Sequence, residues 1–583
     1  MPAITLSAKF QQVNHSEWII RLIYVGAIGL GFLHAWAAAT SYSMNADGIN
    51  YLDIGDAYWR GDWKAAVNPV WSPLYSWILG GVMLIFQPGM RWEFPLVHGV
   101  NYVIYLVALA CFAYFWKQVE NCRQANLMGD QRRVAVSIPG WAFSILGYLL
   151  FVWSSLTLNE IWAVTPDMLM AAIVYLVGAI LLRMRLQSRS WGTFALLGFL
   201  LGMGYLTKTI MLPVAFLFLG ASLFSAEGIR RTGSKVLVSL VAFILIAGPY
   251  ITLISLAKGR FTYGESGPVT YMRYVNQVPY PHWQGKPDGY GTPIHPSRQI
   301  YINPPIYEFG TPISGTYPIS YDPSYWYEGV QLNFSLQEIF PNLVSSALFY
   351  FDLFFHVLGP LLAGLFILYM LSPRWRQLSI DTIRNWSLAI ISILVLVLYS
   401  LVYVEGRYIA VFVVLLITDL LSNLSLPDLP GLRKVTSVVS LVMIFSLLAN
   451  LVASNLEGYA KLSMRAEKPT STQGSVPPPA WPGEVAKELK FLGIRPGDKV
   501  AVIGYAFDSF WARLARVKIV AEMLVSDAPQ FWFGDATLQK EAIQAFESTG
   551  ARAIVAEDVP DQVLSSAWHR VGNTNVFIYP FDD

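Results

Sequence analysis

Directly after the first apolar segment, four carboxylates, Asp47, Asp53, Asp56 and Asp62, fall within 16 residues. From Ile49 onward this stretch reads as an amphipathic helix lying on a bilayer surface, with aromatic residues placed to anchor it. Asp56 and Asp62 suit solvated positions on such a helix. Asp47 precedes the helix at the mouth of the span, where bilayer and protein partly exclude water. A carboxylate held there can accept a proton at neutral pH. Asp47 and Asp53 are therefore candidate catalytic residues, with solvated interfacial acids as the plain alternative.

Three further clusters lie between apolar segments. In Asn159-Glu160-Ile161-Trp162-Ala163-Val164-Thr165-Pro166-Asp167, Pro166 suits the first turn of a helix. Asp167 then sits where the helix dipole favours a carboxylate, either as a capping acid or as a second catalytic acid. Glu160 lies close by, and acids at a membrane boundary carry a functional hypothesis by default. Gly204-Tyr205-Leu206-Thr207-Lys208-Thr209 holds a lone cation that either snorkels or binds an anionic head group. Tyr403-Val404-Glu405-Gly406-Arg407-Tyr408 holds an arginine whose planar fork suits phosphate oxygens, unless Glu405 alone occupies it. A base, a second acid and two cations suit transfer from a lipid phosphate: the cations hold the leaving phosphate while a carboxylate activates an acceptor hydroxyl.

The elements that must position these residues are membrane spans. Trp18–Thr40 is about 23 residues long, enough for a ~30 Å hydrocarbon core, and reads as a retained first span. Further apolar segments lie near Ser72–Phe86, Leu96–Trp116, Ile138–Leu158, Met168–Leu182, Trp191–Leu206 and Ile210–Phe224. Val236–Leu256, Ala347–Leu371, Trp386–Tyr403, Ile409–Leu421 and Val435–Val452 complete the series. Lys and Arg cluster in Lys117–Arg133, Arg183–Arg189, Arg230–Lys235, Arg374–Arg384 and Arg433–Lys434. Placing these in the cytoplasm puts the 258–345 loop and the C-terminal domain outside. Ser72–Phe86 either dips in without crossing, giving about 11 spans, or 72–95 crosses twice, giving about 13.

The expected fold is thus a polytopic α-helical membrane protein with a small extracytoplasmic α/β domain. Residues 1–457 form the membrane domain, with a first outer loop at 41–71 and a large one at 258–345. Residues 458–483 form a linker and 484–583 the α/β domain. In that domain Lys499–Gly504, Lys518–Ala521, Arg552–Glu557 and Asn575–Tyr579 read as strands, and Ser509–Arg516 and Ala536–Ser548 as helices. Its Gly504 turn lacks a GxGxxG phosphate loop, which leaves a structural or acceptor-docking role.

Composition agrees. The 583 residues are 55% hydrophobic and 13% charged, about half the ~25% charge of a soluble domain. A net charge of +2 without a basic stripe gives no footing for nucleic acid. Twenty tryptophans and 31 tyrosines suit interfacial belts and a site that holds sugar rings. Cys111 and Cys122 form no disulfide framework or metal spacing. His282 and His295, separated by prolines, do not read as metal ligands, and no cofactor is expected.

On Asp47 with Tyr51, Trp71-Ser72-Pro73-Leu74-Tyr75, Thr165-Pro166-Asp167, Gly204–Lys208 and Arg407-Tyr408, the sequence resembles the GT-C class of membrane glycosyltransferases. That class includes protein O-mannosyltransferases and aminoarabinose transferases. The resemblance spans roughly residues 15–425. It implies a polyprenyl-phosphate sugar donor, an extracytoplasmic acceptor (glycan, lipid or protein), an inverting single displacement and no nucleotide-sugar site. It makes Asp47 the general base, gives Lys208 and Arg407 to the donor phosphate, and places Tyr51 and Tyr408 at the substrate. The chain departs from protein mannosyltransferases in carrying Asp47-Gly48 where they have paired acids, and Trp71-Ser72-Pro73 where they have His-Pro-Pro. The competing readings are a secondary transporter or lipid-linked-sugar flippase, and an assembly scaffold. Transporter folds show internal repeats and midplane charges; no repeat is visible here, and the acids sit at the boundary.

Overall fold

The computed structural model describes residues 4–42, 44–128, 135–186, 190–224, 229–372, 385–427, 429, 431–467, 481–560 and 567–581. The membrane domain opens with α1 (Ile4–Ser41), α2 (Ala46–Trp59), α3 (Pro73–Phe86), α4 (Met90–Met128) and α5 (Gly140–Trp153). It continues with α6 (Asp167–Leu186), α7 (Trp191–Thr207), α8 (Met211–Leu223) and α9 (Ile229–Lys258). After the short α10 (Ser266–Tyr274) follow α11 (Leu336–Phe351), α12 (Gly359–Met370), α13 (Ser387–Ser400), α14 (Gly406–Ser422) and α15 (Leu432–Glu467). The Arg374–Arg384 cluster and half of the expected linker, 468–480, lie outside the described residues; 458–467 continue α15 and 481–483 open α16 (Trp481–Phe491).

This is a polytopic membrane protein. Among the described residues six helices are long and apolar enough to cross a bilayer: α1, α4, α5 with its π-helical extension Ser154–Leu158, α6, α9 and α15. A seventh span forms if α11 and α12, bent by 76° at their junction, count as one. Helices α3, α7, α8 and α13 are apolar but shorter, so the expected 11 to 13 spans are reached only if shorter helices also cross. Ser72 and Pro73 start α3 as an N-cap and first-turn proline, and Gln87 ends it in the left-handed region (φ 41°). Its 14 residues span about 21 Å, short of a ~30 Å core. Because α4 begins at Met90, the double crossing of 72–95 does not form.

Helix α2 corrects a second expectation. It does not lie on the surface: Gly48 through Gly55 and Ala57 are buried. It packs on α3 where Gly55 meets Gly80; a Cβ on Gly55 would lie 2.7 Å from the Ser76 carbonyl and 3.0 Å from Gly80 Cα. The expected anchors Trp59 and Trp63 do stay exposed, at its C-terminal end.

Outside the bundle, the long loop and the C-terminal segment fold together. The loop supplies β1 (Arg298–Ile302) and β2 (Pro305–Glu308). The C-terminal segment supplies α16 (Trp481–Phe491), β3 (Lys499–Gly504), α17 (Phe510–Ala515), β4 (Lys518–Leu524), α18 (Ala536–Ser548), β5 (Ala553–Glu557), β6 (His569–Arg570) and β7 (Val576–Pro580). They form one seven-stranded sheet in the order β1-β2-β4-β3-β5-β7-β6. Strand β3 pairs in parallel with β4 and β5, while β2 runs antiparallel to β4 through Tyr307 opposite Glu522 and Glu308 opposite Ala521. Period-2 alternation sends Val500 and Val502 to one face, against Trp511 and Trp326, and Ala501 and Ile503 to the other, against Phe531 and Phe546. The sheet of the C-terminal segment, expected at 484–583, is extended by the loop strands, which cover the β4 edge that would otherwise present unpaired backbone groups.

Candidate active site

Asn45 precedes α2 and brings two distant motifs together. Its Oδ1 accepts the Val164 N–H at 3.0 Å, and its amide reaches the Val164 carbonyl at 3.4 Å. Asp47 lies inside the first turn of α2, as its second residue, and not, as expected, ahead of the helix. Asp167 opens α6, whose Met170 N–H bonds to the Pro166 carbonyl at 2.9 Å. Lys208 ends α7 in an extended conformation, and Glu405 precedes α14. Gly406 lets α14 start close against the π-helical extension, where a Cβ would lie 3.2 Å from the Leu158 carbonyl. Arg407 and Tyr408 follow in the first turn of α14.

These termini converge on a cavity of about 520 Å³ lined by Asp47, Tyr51, Asp167, Lys208, Arg407 and Tyr408. Lys208 Nζ donates to Asp167 Oδ1 at 2.5 Å and lies 3.7 Å from the centre of the Tyr408 ring. Arg407 Nη1 donates to Asp47 Oδ2 at 3.1 Å, and its Nε lies 3.0 Å from Glu405 Oε1. Each cation is thus held by an acid of another motif and shares the Tyr408 ring. Asp167 is 1% exposed, yet its Oδ2 has no hydrogen-bond partner among the described residues; neither has the buried hydroxyl of Tyr399 beside it. Tyr51 forms a wall, edge-on to Trp71 and Tyr75 at 5.3 and 5.2 Å.

One side of the cavity is apolar, with Ile210, Pro213, Leu398 and Val402 at α8 and α13. Another is aromatic and comes largely from the long loop and the α/β layer: Tyr274, Tyr280, Tyr403 and Phe507. Tyr274 and Tyr403 stack at 3.9 Å, and the Arg273 guanidinium lies 4.4 Å from the Tyr280 ring centre. Burial raises the Tyr280 pKa, with Arg273 opposing, so its hydroxyl stays protonated at neutral pH. Phe507 belongs to the loop after β3, at the carboxyl edge of the parallel strands where open α/β sheets present ligand sites. The long loop is tied down over the first outer loop by Asn50 to Ser320 Oγ and by Asn68 to the Tyr321 carbonyl, each at 2.7 Å.

Two sequence candidates stand elsewhere. Asp53 does not line the cavity: Oδ1 accepts from Arg513 and Oδ2 from the Thr316 N–H. Glu160 adopts φ 52° in the irregular stretch before α6 and is absent from the lining. Asp56 is not freely solvated but bonded to Arg513 and Arg516. His282 bonds to Ser297 and pairs with Glu522 at 2.7 Å, which ties the loop to β4. Sequence reading missed Arg273, Tyr274 and Phe507. The available signal was the tyrosine density of the loop, and nothing local marked Phe507.

No protein-family model matches the sequence, and no curated protein sequence matches it. Among solved structures, the chain is similar to ArnT from Cupriavidus metallidurans in the apo state, at 13% identity and a TM-score of 0.49, over 95% of this chain and 97% of that one. The same protein bound to undecaprenyl phosphate gives 12% identity and a TM-score of 0.47 over the same shares. The Archaeoglobus fulgidus oligosaccharyltransferase in complex with zinc and sulfate gives 12% identity and a TM-score of 0.48, over 92% of this chain and 68% of that one. Both neighbours are glycosyltransferases of the GT-C class.

Proposed function

We propose that this cavity transfers one sugar from a polyprenyl-phosphate carrier to an acceptor on the extracytoplasmic side, with inversion at the anomeric carbon. The observation that carries the reading is the crossed pairing of two acids with two cations, Asp47 with Arg407 and Asp167 with Lys208, inside one cavity. A phosphate entering between Lys208 and Arg407 competes with the two carboxylates for the same donors. Charge-assisted bonds to phosphate suit the arginine fork, and the apolar side at Ile210, Pro213, Leu398 and Val402 suits the prenyl chain.

With Arg407 drawn to the phosphate, Asp47 is released to take the proton of an acceptor hydroxyl. That oxygen bonds to the anomeric carbon as the bond from carbon to phosphate oxygen breaks. The prenyl phosphate leaves with its charge held by both cations, and Asp47 keeps the proton. In this reading the unpartnered Oδ2 of Asp167 accepts a hydrogen bond from a hydroxyl of the donor sugar, while Tyr51 and Tyr408 wall its ring. The acceptor enters across the aromatic side. The same assay, run with hexosyl and pentosyl donors, identifies the transferred sugar.

Purified protein incubated with radiolabelled polyprenyl-phosphate sugars and a panel of glycan, lipid and protein acceptors should transfer label without any nucleotide sugar. Asp47→Asn should abolish that transfer while donor affinity is kept or raised, because the phosphate no longer competes with this carboxylate for Arg407. Turnover retained in the variant would remove Asp47 from the chemistry. Movement of intact donor across vesicles, without transfer, would instead establish a flippase.

A further inference from the structure

The C-terminal layer meets the membrane domain at one buried arginine. Arg513, on α17, is 1% exposed and its guanidinium serves three carboxylates. Nε donates to Glu93 at 2.7 Å, Nη1 to Asp53 at 2.5 Å and Nη2 to Asp56 at 3.0 Å. Arg516 adds bonds to Asp56 and Glu93, each at 2.8 Å. Asp53 also accepts the Thr316 N–H of the long loop at 2.6 Å. Helix α2, the outer end of α4, the loop and the α/β layer therefore join at a single side chain. Next to it the rings of Phe94 and Phe510 pack at 5.7 Å.

The position of this joint is informative. Asp53 follows Asp47 on α2 by six residues, about 9 Å along the axis. Phe507, which lines the cavity, precedes Arg513 by six residues. The cations Lys208 and Arg407 sit on other elements, and their described partners, Asp167, Asp47, Glu405 and Tyr408, all lie outside the C-terminal layer. Moving Arg513 thus disturbs the base and the aromatic wall, and reaches the cations only through the Asp47–Arg407 pair, which the donor phosphate replaces. A fork geometry is needed to serve three acids at once, and lysine lacks it.

We propose that Arg513 is the positioning residue through which the C-terminal layer fixes α2, and with it Asp47, against the phosphate held by Lys208 and Arg407. Asp53, Asp56 and Glu93 are its receptors. This inference rests on the transfer reading above, and in it Arg513 acts without touching substrate.

The test uses full-length protein and two variants, Arg513→Lys and Arg513→Gln, in a background lacking Cys111 and Cys122. Undecaprenyl phosphate serves as the binding probe. Expected are a ten- to hundredfold loss of kcat in Arg513→Lys and a probe affinity within twofold of wild type. Spin labels at Lys64→Cys and Ser526→Cys should give a narrow distance distribution with Arg513 and a broadened one in both variants. An unchanged distribution with unchanged kcat overturns the proposal. A loss of probe affinity in step with kcat also overturns it, because the residue then supports only the fold. If wild type shows no transfer, the function reading fails, and the distance arm still decides whether Arg513 fixes α2.

Discussion

At the scale of single residues, the site is a set of competitions for charge. Lys208 and Arg407 are already satisfied by Asp167 and Asp47, so a donor phosphate displaces protein carboxylates instead of water alone. One charge-assisted contact contributes roughly 1.5–3 kcal/mol; Lys208→Ala should therefore weaken donor binding about ten- to a hundredfold. Arg407→Lys should also lose affinity, since the charge survives but the fork does not. With both cations on one phosphate, the double variant should depart from the sum of the single losses. Donor affinities of all four proteins in one detergent at one salt concentration decide this, and strict additivity would put the cations at separate sites.

Elements turn those residues toward each other through close contacts. The seat of α2 on α3 depends on Gly55 and Gly80, where a side chain would meet backbone within 3 Å. Gly55→Val should lower the melting temperature and reduce transfer together, because backbone cannot yield as a flexible side chain can. In the C-terminal layer, Glu557 ends β5 and accepts from Trp511 Nε1 at 3.2 Å. Burial pushes its pKa up to about 7, against the Trp511 bond, with Asp558 adding to the rise. The folded protein therefore binds a proton that the unfolded chain has released, and stability falls as pH rises from about 4.5 to about 7. Melting temperatures across that window should decline in wild type and flatten in Glu557→Gln. Parallel curves would show that Glu557 is not the group responsible.

For the whole molecule, the cavity sits between the bundle and the loop-completed sheet, so the reaction and the sheet must share one side of the membrane. From the charge bias of the cationic loops we propose that this side is the outside. In intact cells or spheroplasts, a membrane-impermeant maleimide should label Ser526→Cys and spare Gln124→Cys. The reverse pattern would invert the topology and take the extracytoplasmic acceptor with it.

Membrane character, most apolar segments and most strands and helices of the C-terminal segment follow from periodicity and composition alone, because hydrocarbon thickness and the β pleat act on short windows. Lys499–Gly504 and Ala536–Ser548 form with the bounds expected. Asp47, Asp167, Lys208 and Arg407 were also legible, since charge beside an apolar run is conspicuous in one dimension. Which acid meets which cation was not. Asp53 and Asp47 look alike in sequence, but one faces a cavity and the other an arginine 460 positions away. That partner, the loop strands that complete the sheet and the aromatic wall at Phe507 are contacts between remote segments. They are set by burial and edge pairing, which only the folded chain specifies.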